Sequence, residues 1–247
     1  DDNEAEAITT LGESIGASDQ FTPISEMLAE ALGGGLSLMG TAEALSYGAA
    51  LLHLRTDYGN PFDVHLHTGM NSRRYLLGLD AISARNKVLA LLSWPLSREI
   101  QLTEDRIVWP TRNKADAASS GLNESQLLDV LTDSITGRPT PDLDEVGGHV
   151  ELLFCGPQVR ETLKLAQTYA ERGFDTDRFF QRMGEVVCHD DYSEMHAFKH
   201  LQAAREEFNA TRPSLAWAHL VSTAKMAWCT YGHAQDVYTE ASKHLSV

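Results

Sequence analysis

The stretch Cys188-His189-Asp190-Asp191-Tyr192-Ser193-Glu194-Met195-His196-Ala197-Phe198-Lys199-His200 is the densest run of metal ligands and proton carriers in the chain. Its pattern reads as the middle of one long helix from about Asp177 to Phe208. At 3.6 residues per turn, His189, His196 and His200 fall within about 20° of one line along that helix, and Glu185, Ser193 and Glu207 lie close to it. This is a titratable stripe. Met183, Val186, Leu201 and Phe208 fall roughly 100° round the helix, and Asp190 and Glu194 sit among these apolar positions. A buried carboxylate needs a proton, hydrogen bonds or a cation, so one of these should satisfy both acids.

Upstream, Asp63-Val64-His65-Leu66-His67 leads into a second helix through Met70, Tyr75, Leu76 and Leu79. With Asp63 as N-cap, His65 and His67 would stand in the first turn, where the positive end of the helix dipole favours the neutral imidazole that binds metal. Steps of four and three from His67 reach Asn71 and Arg74, a second polar stripe on an otherwise apolar helix. Of the ten histidines, His53, His65 and His67 fall in one region and His189, His196 and His200 in another. If the two helices face each other, the clusters meet. His196 and His200 are spaced to chelate one ion, with His67 or Glu194 completing its sphere. His189 stands about 10 Å along the axis from His196, too far for the same ion, so it would orient ligands or carry protons. The plainer reading is a half-exposed face with capping histidines. Neither His-Glu-x-x-His nor the repeated Glu-x-x-His of di-iron bundles occurs.

The remaining segments are also helical in pattern. Thr22-Pro23 opens a helix that Gly33-Gly34-Gly35 stops, and Thr41 to Thr56 reads as a core helix. Asn86 to Glu99 is apolar. Asn123 and Gln126 form a capping-box signature for a helix through Ile135. Asp142 to Cys155 and Pro157 to Arg172, the latter capped by Gly173, are followed by the long helix, by a helix from Arg212-Pro213 to Gly232, and by a last short one towards Leu245. No period-two strand is found, so the expected fold is all-α, a multi-helix bundle of roughly nine or ten helices without a sheet. Residues 1–20 read as an acidic lead-in, either weakly ordered or a short helix. Residues 21–136 and 142–247 read as N- and C-terminal helical halves of one unit, joined at Gly137-Arg138-Pro139-Thr140-Pro141.

The 247 residues carry a formal charge of −15, which argues against a nucleic-acid partner. No apolar run approaches the ~18 residues of a membrane span. Three separated cysteines make a disulfide framework an unlikely design and a reducing, cytoplasmic setting the simpler expectation, although a lost leader would be compatible with the opening Asp1-Asp2. No Cys-x-x-Cys pair or Cys-x-His pattern is present, so the chain is expected to carry no iron–sulfur cluster of its own.

The segment Tyr58-Gly59-Asn60-Pro61-Phe62-Asp63-Val64-His65-Leu66-His67-Thr68 resembles the turn and histidine-rich helix start of all-helical domains that accompany Rieske-type 2Fe–2S domains. The run Asp190-Asp191-Tyr192-Ser193-Glu194-Met195-His196 resembles their C-terminal motif, and the same group is similar to questin-oxidase-like proteins. The resemblance implies an oxygenase or redox component. Because the Rieske cluster motif is absent, the resemblance implies either an electron donor on a separate protein or none.

The expected function is therefore an oxygen-using oxidoreductase acting on an apolar small molecule. His67, Glu194, His196 and His200 would bind iron or another divalent metal, while His65, His189 and Asp190 would orient ligands or move protons. A homo-oligomer stands beside a monomer as its state. Two other classes stay open: a non-catalytic acidic helical subunit or adaptor, and a cofactor-independent oxygenase with a histidine base.

Overall fold

The structure, a computed structural model, describes residues 2–18, 23–55, 61–93, 119–138, 158–188, 195–231 and 236–245, with the backbone alone for 61–63 and 236–239. Among these residues there are eleven α-helices and no strand: α1 Asp2–Ala17, α2 Ile24–Gly33, α3 Leu38–Arg55, α4 Pro61–Gly78, α5 Ala84–Leu92, α6 Glu124–Thr136, α7 Val159–Glu171, α8 Thr176–Val187, α9 His196–Ala210, α10 Pro213–Thr230 and α11 Asp236–Leu245. One 3₁₀ turn, Ser119–Gly121, precedes α6. The chain is all-α. No described helix is long and apolar enough to cross a membrane.

Local chemistry explains several of the helix ends. The Asn123 carboxamide accepts from Gln126 N while Gln126 returns a bond to Asn123 N, both at 3.0 Å, which is the capping box read from the sequence. Asp175 caps α8 by accepting from Asp177 N and Arg178 N. Gly173, just past α7, takes a φ of +64°, the left-handed turn that glycine permits. Pro61 opens α4, where a missing N–H costs no helical bond, so the helix begins ahead of the expected cap at Asp63 and His67 lies beyond the first turn.

Two helices form the centre. Every residue of α10 from Ala218 to Thr230 is buried, and so is every residue of α3 from Thr41 to Leu54 except Glu43. A helix shielded all round must be surrounded by others. Helices α7, α8 and α9 pack against α10, and α1, α2 and α4 pack against α3, which also touches α10. Helix α3 feeds both halves of the core: Tyr47, Leu51 and Leu54 join a cluster with α6, α7, α8 and α10, whereas Leu45, Ala49 and Leu52 join one with α2, α4 and α5. Phe179, Phe180, Met183 and Val186 of α8 are buried against the first cluster, each contributing about 1.5–3 kcal/mol by leaving water.

Two expectations need correction, on the long helix and on the cysteines. The single helix from Asp177 to Phe208 is two: α8 ends at Val187, and α9 starts after Met195, whose φ of 68° is incompatible with a continuing right-handed helix. Of the two forms left open for the acidic lead-in the structure has the helix, 16 residues long and packed on α3, with Ile8 and Ile15 buried. Cys229 is disulfide-bonded, whereas Cys188 is a free, exposed thiol. An odd cysteine count guarantees one free thiol but does not forbid a pair. The expected helices over 94–99 and 142–155, and the linker beyond Arg138, lie outside the described residues.

Helix α1 reaches α3 closely because glycines face each other. A Cβ on Gly48 would stand 2.5 Å from Ile15 Cγ2 and 3.0 Å from the Gly12 carbonyl, with no room for either to retreat. Gly48→Ala is therefore expected to destabilise the protein by about 1–3 kcal/mol in chemical denaturation. Gly33→Ala, where a Cβ meets nothing within 4 Å, should leave the midpoint unchanged or raise it. Equal behaviour of the two variants would contradict the close packing of α1 on α3.

Candidate metal centre

The two polar stripes of the sequence face each other across α4 and α9. Arg74 grips the buried Glu207 carboxylate, its Nε 3.0 and 2.9 Å from the two oxygens and its Nη2 2.7 Å from Oε2. Ser46 Oγ of α3 donates to the same Oε2 at 2.6 Å, and Asn71 Nδ2 donates to Glu206 at 2.7 Å. Seven residues earlier on each helix, close to two full turns, His67 and His200 stand with ring centroids 4.5 Å apart. Helices α4 and α9 thus run parallel, with the ion pair and the imidazole pair as two rungs of one interface.

His53, near the end of α3, completes a cluster. Its ring centroid lies 4.9 Å from that of His200 and 5.6 Å from that of His67. One ring nitrogen from each of His53, His67 and His200 can be chosen so that all three lie within 4.8 Å of one another, a spread that a single ion could draw in to ligand distance. The three rings are 0–1% exposed.

Helix α10 forms the back of the site. Ser222 Oγ lies 2.6 Å from His53 Nδ1 and 3.3 Å from His200 Nε2. His219 Nδ1 lies 3.2 Å from His67 Nε2, and its own Nε2 is 3.2 Å from Thr211 Oγ1. Lys225, fully buried, donates to the His53 carbonyl. The corner between α9 and α10 is pinned to α3 by Arg212, whose backbone N–H and guanidinium both bond to Glu43. His67 Nδ1 and His200 Nδ1 have no hydrogen-bond partner among the described residues.

The electrostatics keep these rings neutral. Burial, then the charge of Lys225, holds His53 well below the ordinary histidine value of 6.5. Burial followed by His219 does so for His67, and burial followed by His67 for His200. His219 is pushed down to about 3 by burial and the nearby Arg74. Neutral imidazoles are the form that ligates metal.

Of the residues expected from the sequence, the structure brings His67 and His200 together. His65 and His196 form a separate half-buried pair with ring centroids 6.0 Å apart, outside the three-histidine cluster. His189, Asp190 and Glu194 lie outside the described residues. Sequence reading placed His53 in a cluster without giving it a role, and passed over His219, Ser222 and Lys225. Their signal was three polar residues at i, i+3 and i+6 within an otherwise apolar helix. A surface groove of about 700 Å³ between α1 and α2 shares no residue with the cluster. The chain matches no protein-family model, no curated protein and no solved structure.

The four buried rings predict a pH dependence. Above 6.5 both folded and unfolded forms are neutral; below it the unfolded chain takes up protons that the folded rings refuse, so stability falls as pH falls. Each such histidine adds a slope of about 1.4 kcal/mol per pH unit. In chelator-treated protein, Tm should be flat above pH 7 and drop steeply between pH 6.5 and 5, before carboxylates with ordinary values titrate. A Tm that stays level down to pH 5 would show that the rings accept protons in the folded state.

Proposed function

We propose that this chain is an oxygen-using oxidoreductase whose metal centre is the cluster of His53, His67 and His200. The observation that carries the reading is the pair of buried nitrogens, His67 Nδ1 and His200 Nδ1, left without a partner among the described residues beside a third imidazole. Buried polar atoms are nearly always satisfied, and a cation would satisfy these together. Three neutral imidazoles suit iron, zinc, copper or nickel, and three protein ligands leave coordination positions open, as in catalytic rather than closed structural sites. A bound redox-active ion would supply electron transfer to oxygen. The residues of the chain hold it, orient its ligands and exclude water. The resemblance to Rieske-associated and questin-oxidase-like helical domains supports the redox assignment. The substrate would be an apolar small molecule, with electrons from a separate donor protein.

A second reading is favoured by the near-complete shielding of the three rings. In it the ion is a staple locking α3, α4 and α9 within a non-catalytic helical subunit.

Elemental analysis of untagged, natively purified protein should find about one transition-metal ion per chain. His53→Ala, His67→Ala and His200→Ala should each lose it. Oxygen consumption that needs the metal, in the presence of an electron donor, would support the oxidoreductase. A large loss of Tm on metal removal with no oxygen uptake would establish the staple instead. Metal lost with His196→Ala but kept with His53→Ala would return the site to the histidine–carboxylate set expected from the sequence. A folded protein free of metal would overturn both readings.

A further inference from the structure

Resting on the metal reading, we propose that His219, Thr211 and Ser222 form an orienting layer that makes Nδ1 the metal-binding nitrogen of both His67 and His200. The argument is a count of protons. Between His67 Nε2 and His219 Nδ1, at 3.2 Å, there is room for one proton, and an imidazole that ligates a metal must be neutral.

If His219 supplies that proton, its Nε2 is a bare acceptor towards Thr211, and His67 must carry its own proton on Nδ1. That leaves a buried N–H without an acceptor among the described residues, at a cost of about 1–3 kcal/mol. If His67 supplies it, His219 donates through Nε2 to Thr211 Oγ1 at 3.2 Å, and His67 Nδ1 becomes a lone pair. Without an ion the second arrangement also leaves one atom unsatisfied. With an ion it leaves none, so the metal selects it.

The same count applies to Ser222. Its oxygen has two lone pairs and is within reach of His53 Nδ1 and His200 Nε2. When both rings donate to it, His200 Nδ1 and His53 Nε2 are lone pairs at once. If the hydroxyl instead donates to either ring, that ring must carry its proton on the nitrogen needed for the metal. Ser222 therefore acts as a double acceptor in the metal-bound state. These three residues are positioning residues, since they reach the ion only through the ring behind which they stand.

The probe is zinc, which is diamagnetic and suits three imidazoles. Long-range ¹H–¹⁵N spectra of the zinc-loaded wild type should show His67 and His200 protonated at Nε2 and ligated through Nδ1, a result that needs no substitution. In chelator competition, His219→Leu and Ser222→Ala should weaken zinc binding about 10- to 100-fold, as loss of an outer hydrogen bond does in other sites. His219→Asn, which places an amide oxygen near the former Nδ1, should recover most of the affinity. Zinc bound through Nε2 of His67 or His200 would overturn the assignment while leaving the metal centre standing, and so would unchanged affinity in both weakened variants. Failure of the wild type to bind zinc or any other transition metal would sink the underlying metal reading.

Discussion

The Glu207 carboxylate has no access to water, and much of the architecture answers to that fact. An isolated buried charge is untenable, so Arg74 must meet it from α4 and Ser46 must reach it from α3. A planar guanidinium on a carboxylate fixes position along both helices, not merely proximity. Helices α4 and α9 are thereby set in one parallel register. Two turns towards their N-termini, that register puts His67 opposite His200. The imidazole cluster is thus positioned by an ion pair two turns away, whose guanidinium also helps to keep His219 neutral.

The central helices carry a second tension. Helices α3 and α10 are apolar enough to be enclosed on all sides, yet they bring His53, His219, Ser222 and Lys225 into that enclosure. Such groups survive there by partnering one another across helices. The arrangement makes the rings poor bases and good ligands through the same cause, the absence of water. It also makes the interior costly to acidify.

Much of this was legible before any coordinates. Helical spacing gave one stripe of His67-Asn71-Arg74 and another of His189, His196 and His200 with Glu185, Ser193 and Glu207; of the second, His200 and Glu207 meet the first, Glu207 through its bonds to Asn71 and Arg74. The capping box at Asn123 was legible because both partners lie within one turn. The break at Met195 was not, since methionine gives no warning of a left-handed backbone. Helix α1 was left undecided between a weakly ordered segment and a helix, because its acids drew attention away from Ile8, Ile15 and the facing glycines that let it pack on α3. The role of His53 and the backing of His219 and Ser222 were out of reach for another reason. Periodicity tells which residues share a face of one helix, but not which distant helix that face will meet.

Those distances along the chain have a consequence of their own. Arg74 and Glu207 are 133 residues apart, His67 and His219 are 152 apart, and His53 and Ser222 are 169 apart. Each contact closes a very long loop, whose entropy must be met before the contact returns anything. A fragment that lacks α3, α4 or α9 cannot present the three imidazoles together. Possession of the ion would then be a certificate of completed folding, issued only after the first and last thirds of the chain have found each other.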